Sequence, residues 1–237
     1  MFGKWSETSK SINSGKSVNI AHIKLDGGLT GEQLTTAAGV VERARELVSL
    51  AKVKIGGNWD SAMKAAGAKC FSLAPGGPSN ADLEMMGLVL RKTNSGISGT
   101  TTIKVGSSPD ANGYVNVHND FMHKVFSSHA VKNLKTGKKE YIGGAHVDRE
   151  YIVNPTQNNG FQRGVLTFIH EATHRYAGTV DYDDEGYISA TQFFGGNGIH
   201  FRDENPDGSC KLTKTQLLTN ADSYAVFIYE IASATVI

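Results

Sequence analysis

The segment from Gly160 to Ala177 combines a metal-binding pattern with the apolar periodicity of a helix, and it constrains the fold more than any other part of the chain. His170 and His174 are four residues apart, so on a helix both imidazoles project from one side. Apolar residues recur at helical spacing on the other side: Phe161, Val165, Phe168, Ile169, Ala172 and Tyr176. Such a helix has to pack its apolar side on a core and present its histidines elsewhere.

Glu171 follows the first histidine and completes an HExxH pattern. Two imidazoles on one side of a helix can bind a single zinc ion, and the adjacent glutamate can act as general base for a metal-activated water. A catalytic zinc site has three protein ligands and leaves the fourth position open. The pattern therefore predicts metal-dependent hydrolysis, with one Zn²⁺ held by His170, His174 and a third ligand from outside this helix turn.

The third ligand is expected shortly after the helix. Gly178 directly follows the helical pattern and is able to end it in the left-handed conformation, so that the chain folds back. Two carboxylates come next, Asp181 seven residues and Asp183 nine residues after His174. The spacing alone leaves both aspartates open as ligands.

The motif HEATH at residues 170–174, followed by GTVD at residues 178–181, resembles the signature of the aspzincins. These are zinc endopeptidases typified by deuterolysin and the fungal peptidyl-Lys metalloendopeptidases, and their signature is HExxH followed by GTxD. The resemblance implies a zincin-like fold with His170, His174 and Asp181 as zinc ligands and Glu171 as catalytic base. It favours Asp181 over Asp183.

A further segment, Asn220-Ala221-Asp222, is similar to the asparagine-alanine-aspartate segment of the last helix in that family. The resemblance implies that Asp222 or Asn220 holds a ligand histidine in place from behind. The alternative is an amphipathic helix whose polar residues face water.

One position departs from the family pattern. The family has a tyrosine three positions after the aspartate, which helps to stabilise the oxyanion, and Asp184 stands there in this chain. We expect Tyr187 to take this catalytic role, with Tyr182 as second candidate. The alternative for either is an aromatic side chain that only packs.

The order of predicted elements indicates an α+β fold in which helices pack on a small, mostly antiparallel sheet. Thr30 and Gln33 form a capping-box pattern at the start of the first helix. The predicted helices begin near residues 30, 80, 160 and 215, and the predicted strands are Thr102–Val105, Tyr114–Val117, Glu140–Ile142 and Tyr151–Val153. We expect an N-terminal arm over residues 1–29 and a single zincin-like metallopeptidase domain over residues 30–237.

Two expectations concern the substrate. Gly143–Val153, just before the HExxH helix, is expected to form an edge strand along which an extended peptide pairs, with an ordinary interior strand as the alternative. The acidic residues of 181–185, with Asp203 and Glu204, suggest a pocket for Lys or Arg beside the hydrolysed bond. A solvated acidic loop is the favoured interpretation of those residues.

The remaining features of the chain narrow the class of protein. The net charge of +1 and scattered basic residues do not point to nucleic acid, and no apolar run is long enough to span a membrane. Residues 1–19 show no Sec-type signal peptide, so the protein either acts inside its cell or leaves by another route, and we expect secretion or delivery by a specialised route. Cys70 and Cys210 form either one disulfide or two free thiols. We expect the protein to be a monomer.

These observations together predict a zinc-dependent endopeptidase that acts on peptide or protein substrates, with an exported effector or toxin as one form of it. A zinc amidase acting on cell-wall peptides is the alternative enzyme. A catalytically silent binding domain of the same fold is the alternative from a different class.

Overall fold

The structure is a computed structural model, and it describes residues 22–25, 30–99, 101–106, 113–115 and 129–233. The helices are α1 (Gly31–Ile55), α2 (Ser61–Phe71), α3 (Asn80–Ser98), α4 (Arg149–Val153), α5 (Gly160–Ala172), α6 (Asp183–Gly186), α7 (Ala190–Phe194), α8 (Lys214–Leu217) and α9 (Ala221–Ser233). The strands are β1 (His22–Leu25), β2 (Thr102–Gly106), β3 (Gly113–Tyr114), β4 (His129–Lys132), β5 (Lys139–Ile142) and β6 (Ala145–Asp148).

The core is built mainly by helices. Thr30 caps α1 through the predicted capping box, since its side chain accepts from the backbone of Gln33 and the Gln33 side chain accepts from the backbone of Thr30. One side of α1 is fully buried at helical spacing, and α1 contacts α3, α5 and α9. The predicted apolar side of α5 is buried as well, with Val165, Phe168 and Ile169 inaccessible to solvent.

The four-stranded sheet has the order β1-β2-β6-β3, and β4 pairs with β5 in a separate hairpin. β1 and β2 are parallel, β2 and β6 are parallel, and β3 is antiparallel to β6. The expectation of a mostly antiparallel sheet was therefore wrong, although the helices and small sheets agree with an α+β fold. α1, α2 and α3 lie between β1 and β2 in sequence, and such a crossover permits parallel pairing that local sequence patterns do not reveal.

β6 lies inside the sheet, because it pairs with β2 on one side and with β3 on the other. The prediction that Gly143–Val153 forms the substrate edge was therefore wrong, and its last three residues, Tyr151–Val153, are part of α4 instead of a strand. Asp148 starts that helix by accepting a hydrogen bond from the backbone of Glu150. Among the described residues β3 is the outer strand beside α5, and it covers only the first position of the predicted strand Tyr114–Val117, whose last two residues lie outside the described ranges.

Other elements differ from expectation for local reasons. α2 was not predicted, and it begins at Asp60, whose side chain accepts from the backbone of Met63. The predicted last helix is divided into α8 and α9, because Asn220 between them pairs with Val180.

Both cysteines are free thiols, with Cys70 buried and Cys210 partly buried. The division into an arm of residues 1–29 and a domain of residues 30–237 stays a prediction, since most of the arm lies outside the described residues.

No helix within the described ranges is long and apolar enough to cross a membrane.

The HExxH helix ends as predicted, at Gly178, but through an unexpected turn. α5 continues from Thr173 to Ala177 as a π-helical turn, and Gly178 takes the left-handed conformation with φ 79°. A Cβ atom on Gly178 would lie 2.1 Å from the carbonyl oxygen of Lys132 in the β4–β5 hairpin, and Leu134 donates to the Gly178 carbonyl. Glycine at this position therefore permits both the turn and the close approach of the hairpin.

Gly178→Ala should lower the free energy of unfolding by more than about 2 kcal/mol, because the left-handed conformation costs about 1 kcal/mol and the new Cβ collides with backbone. Gly196→Ala is the matched control, since Gly196 has φ 80° with nothing within 4 Å of its Cβ position. Urea denaturation of both variants measures the difference. Equal losses in the two variants would show that contact with the hairpin does not matter.

Candidate metal centre

Three potential ligand atoms meet at the C-terminal end of α5. The Nε2 atoms of His170 and His174 lie 3.0 Å apart, and Oδ1 of Asp181 lies 3.3 Å and 3.2 Å from them. A tetrahedral zinc ion with ligands at 2.0–2.1 Å would hold its ligand atoms about 3.3 Å apart. Two imidazoles and one carboxylate at these separations fit a zinc ion and leave one position of the tetrahedron open.

The other nitrogen of each imidazole is held by a hydrogen-bond acceptor. Nδ1 of His170 donates to Oδ1 of Asp222 at 2.5 Å, and Nδ1 of His174 donates to the carbonyl oxygen of Thr179 at 2.8 Å. A carboxylate and a carbonyl only accept, so each ring carries a proton on Nδ1, and the neutral form of each ring has its lone pair on Nε2. Both rings are thereby fixed in the tautomer that a metal ion requires.

The π-helical turn brings Thr179 into position. The backbone of Gly178 donates to the Thr173 carbonyl at 3.0 Å, five residues back, which widens the last turn of the helix. The Thr173 hydroxyl donates to the His170 carbonyl at 2.8 Å and lies 2.7 Å from the Thr179 hydroxyl. The chain after the helix is therefore tied back against the turn that carries the histidines.

A short backbone pairing then places Asp181. The Val180 amide donates to the Thr219 carbonyl at 2.9 Å, and the Ala221 amide donates to the Val180 carbonyl at 3.0 Å. These bonds set Asp181 and Asp222 on neighbouring stretches of backbone, from which both reach His170. Asp183, the alternative ligand, is exposed at the start of α6 and is not part of the group.

The charges of these side chains depend on one another. Burial disfavours the charged form of His170, but the carboxylates of Asp222, Glu171 and Asp181 outweigh it and raise the pKa of this imidazole. Burial similarly opposes ionisation of Asp181, yet its hydrogen bonds with His170 and His174 hold its pKa well below the ordinary value. A cluster this rich in carboxylate favours a cation, either protons on the rings or a metal ion in their place.

Glu171 lies beside the three ligand atoms and outside the group that they form. Its Oε1 is 3.8 Å from Nε2 of His170, and the residue is 3% exposed. Burial raises the pKa of Glu171, and the two histidines only partly offset this, which leaves it at about 7. A Cβ on Gly113 of β3 would lie 3.2 Å from this carboxylate, so the missing side chain there makes room for it.

The two candidate tyrosines are placed differently. The ring of Tyr187 stacks near that of His170, with centroids 6.3 Å apart, and it lines the same cleft. Burial, together with the carboxylates of Asp181 and Asp222, raises its pKa, so the hydroxyl stays protonated and able to donate. The hydroxyl of Tyr182 instead lies 2.9 Å from that of Thr219. Tyr187 is therefore the tyrosine that the fold brings to the site.

Asp222 and Asn220 hold different partners. The second oxygen of Asp222 accepts from the Ile188 amide at 2.7 Å, while the first accepts from His170. Asn220 is buried, donates to the Gly186 carbonyl at 2.8 Å, and contacts neither histidine. It holds the loop that leads to Tyr187. The role of the Thr179 carbonyl was not predicted from the sequence, because every residue has a backbone carbonyl whatever its side chain.

The site lies in an open cleft of about 750 Å³ between the hairpin and α7. The acidic residues expected to form a lysine pocket do not line it apart from Asp181. Asp203 pairs with Lys211 at 2.6 Å, and Glu204 accepts from the Phe201 amide at 2.8 Å. Their arrangement agrees with the solvated acidic loop, and a pocket for lysine is not formed by these side chains.

Comparisons with known proteins inform on the fold. No protein-family model and no curated protein matches this sequence. A solved structure of a zinc peptidase from Grifola frondosa is similar, with a TM-score of 0.51 and 13% sequence identity, over 84% of this chain and 96% of that chain. The likeness shows that the chain has the α+β fold of that peptidase.

The contacts predict an order of zinc affinities. Asp181→Ala should reduce the zinc affinity most, because it removes a ligand atom. Asp222→Ala should weaken zinc binding about 10- to 100-fold, because it releases the His170 ring. Asp183→Ala removes a negative charge near the site but no ligand atom, so this variant should bind zinc as tightly as the wild type. Competition titration with a chelator measures all three. Full affinity in Asp181→Ala, or a large loss in Asp183→Ala, would overturn the ligand assignment.

Proposed function

We propose that this chain is a zinc-dependent endopeptidase of the aspzincin type, in which His170, His174 and Asp181 hold the metal. The observation that carries the proposal is the triangle of two imidazole nitrogens and one carboxylate oxygen, 3.0–3.3 Å on a side, beside a buried glutamate. The fold shared with a zinc peptidase and the GTVD register at residues 178–181 support it. When bound, the ion would supply Lewis acidity and lower the pKa of a water at the open position.

Glu171 is the general base in this proposal. A pKa of about 7 allows a carboxylate to take a proton from water and return it to the leaving amine at neutral pH. Its position 3.8 Å from the Nε2 atom of His170 places it next to the ligands without joining them. The empty side-chain position of Gly113 keeps space beside the carboxylate.

Tyr187 stabilises the developing oxyanion in this proposal. Its ring lies against His170, and its hydroxyl stays protonated among carboxylates, as a hydrogen-bond donor must. It comes three positions later than the family tyrosine, whose place is taken by Asp184. The hydrogen bond from Asn220 to the Gly186 carbonyl fixes the backbone directly before it.

The substrate is a peptide in extended conformation. β3 is the outer strand among the described residues and lines the cleft next to α5, so we assign the pairing with the peptide to its backbone. Val115, which follows β3, also lines the cleft. Secretion or delivery by a specialised route, an effector or toxin role, and a monomeric state stay predictions.

Glu171→Gln tests the proposed function most directly. The variant keeps the size of the side chain and the zinc ligands, so zinc content should stay at one ion per chain while peptide cleavage falls about 10²–10⁴-fold. Metal analysis and cleavage of casein or a peptide library provide the two measurements. A zinc-loaded wild-type protein that cleaves no peptide would favour the binding domain or the cell-wall amidase, and cell-wall peptides then separate those two.

Tyr187→Phe should lower kcat about 10²–10³-fold with little change in KM, because the lost hydroxyl acts on the transition state. Tyr182→Phe is the matched control, since its hydroxyl contacts Thr219 and does not line the cleft. Steady-state kinetics on one peptide distinguishes the two variants. A greater loss in Tyr182→Phe would assign the role to the other tyrosine.

A further inference from the structure

Two arginines line the cleft at the end away from the β4–β5 hairpin. Arg163 is on α5, seven residues before His170, which corresponds to about 10 Å along the helix axis. The guanidinium of Arg202 lies over the ring of Tyr187 at 5.0 Å, and that ring is 6.3 Å from the ring of His170. Both arginines therefore line the same cleft as the proposed metal centre.

These charges are poorly compensated within the described residues. Arg163 donates to the Asn158 carbonyl at 2.9 Å and to the Thr191 hydroxyl at 3.1 Å, which are both neutral acceptors. Arg202 has a carboxylate of Asp184 at 3.9 Å, but the two side chains are 46% and 76% exposed, so this pair contributes little. Both guanidinium groups are thus able to bind a further anion.

Tyr151 lines the cleft together with both arginines. Burial and the Asp148 carboxylate raise the pKa of its hydroxyl, while the hydrogen-bonded guanidinium of Arg163 and the charge of Arg202 lower it. Asp148 also lines this end of the cleft, where its carboxylate caps α4 through the Glu150 amide. We call Arg163, Arg202 and Tyr151 the arginine site.

We infer that the arginine site binds a carboxylate of the substrate about three residues from the hydrolysed bond. Planar guanidinium groups match the geometry of a carboxylate and can bind it with two hydrogen bonds. An extended peptide advances about 3.3 Å per residue, so the helical rise of about 10 Å from Arg163 to His170 corresponds to about three residues of peptide. The inference rests on the proposed peptidase function, and it gives that function a substrate class: peptides with an acidic residue or a free C-terminal carboxylate at that distance.

The opposite end of the cleft carries charge of the opposite sign. It is lined by Asn133, Glu140 and Ile142 of the hairpin region, and the Glu140 carboxylate accepts from the Asn133 side chain at 3.0 Å. An acidic substrate group would meet the Glu140 charge there, whereas at the arginine site two positive charges outnumber the single Asp148 carboxylate. The charge pattern therefore selects one direction for an acidic peptide along the cleft.

A positional peptide series tests the inference. Glu is placed in turn at each of the four positions on either side of the cleaved bond, with Gln at the same position as reference. Zinc-loaded wild type should show about tenfold higher kcat/KM for Glu at one position about three residues from the bond, the scale of one charge-assisted hydrogen bond. Amidated and free C-termini distinguish the two sources: a preference in amidated peptides assigns the side chain, and one seen only with free termini assigns the terminal carboxylate.

Variants separate binding of the carboxylate from a structural role. Arg202→Gln should abolish the preference by raising KM for the Glu peptide to that of the matching Gln peptide. Arg163→Gln should act in the same way, and Arg163→Lys should restore part of the preference because it keeps the charge. Arg91→Gln is the matched control, since Arg91 is exposed on α3 and does not line the cleft. Thermal unfolding of each variant shows whether the fold is intact.

A flat positional profile, or a preference that survives in the Arg163→Gln/Arg202→Gln double variant, would overturn the inference while peptide cleavage itself continues. A wild type that cleaves no peptide would instead overturn the proposed function. The arginine site is then judged by binding alone, with fluorescently labelled Glu and Gln peptides and the Glu171→Gln protein. Tighter binding of the Glu peptide that weakens with salt and with Arg202→Gln supports the site, and equal binding of both peptides rejects it.

Discussion

The carboxylate of Asp222 is the interaction on which the geometry of the site depends. One oxygen accepts from the His170 ring and the other from the Ile188 amide, so a single side chain on α9 joins the HExxH helix to the segment after α6. A carboxylate that is largely removed from water needs hydrogen bonds to its oxygens, and both oxygens of Asp222 have one. Because Ile188 directly follows Tyr187, the same contact also sets the position of the tyrosine relative to His170. Ligand orientation and the proposed oxyanion donor are therefore fixed by one group.

Local features of the site could be predicted from the sequence, because they follow from helix geometry. The spacing of His170 and His174 puts both rings on one side, and Gly178 marks the end of the helix. Asp181 was favoured by resemblance, since spacing alone did not exclude Asp183. The pairing of Val180 with Asn220, which places Asp181, joins residues 40 positions apart in sequence. No local pattern contains such a contact.

The sheet was harder to predict for the same reason. The alternation of side chains suggests a strand but carries no information on its partner, so the parallel pairing of β1, β2 and β6 was missed. Tyr151–Val153 has the composition of a strand, yet Asp148 caps a helix there and local capping outweighs β-propensity. The charges of the cleft also depend on tertiary contacts. Asp203 of the acidic segment pairs with Lys211, and neither residue lines the cleft. The arginines that do line it lie on α5 and in the segment after α7.

The two free thiols bear on which interactions hold the fold together. Cys70 is buried in α2 among core residues, whereas the sulfur of Cys210 lies on a surface segment near the Glu185 carbonyl and the Leu212 amide. The structure is therefore held by the packing of its helices and by polar contacts such as those of Asp222, without a covalent cross-link between distant segments. No disulfide between Cys70 and Cys210 contributes to its free energy of unfolding, so a reducing agent removes no cross-link from this folded state.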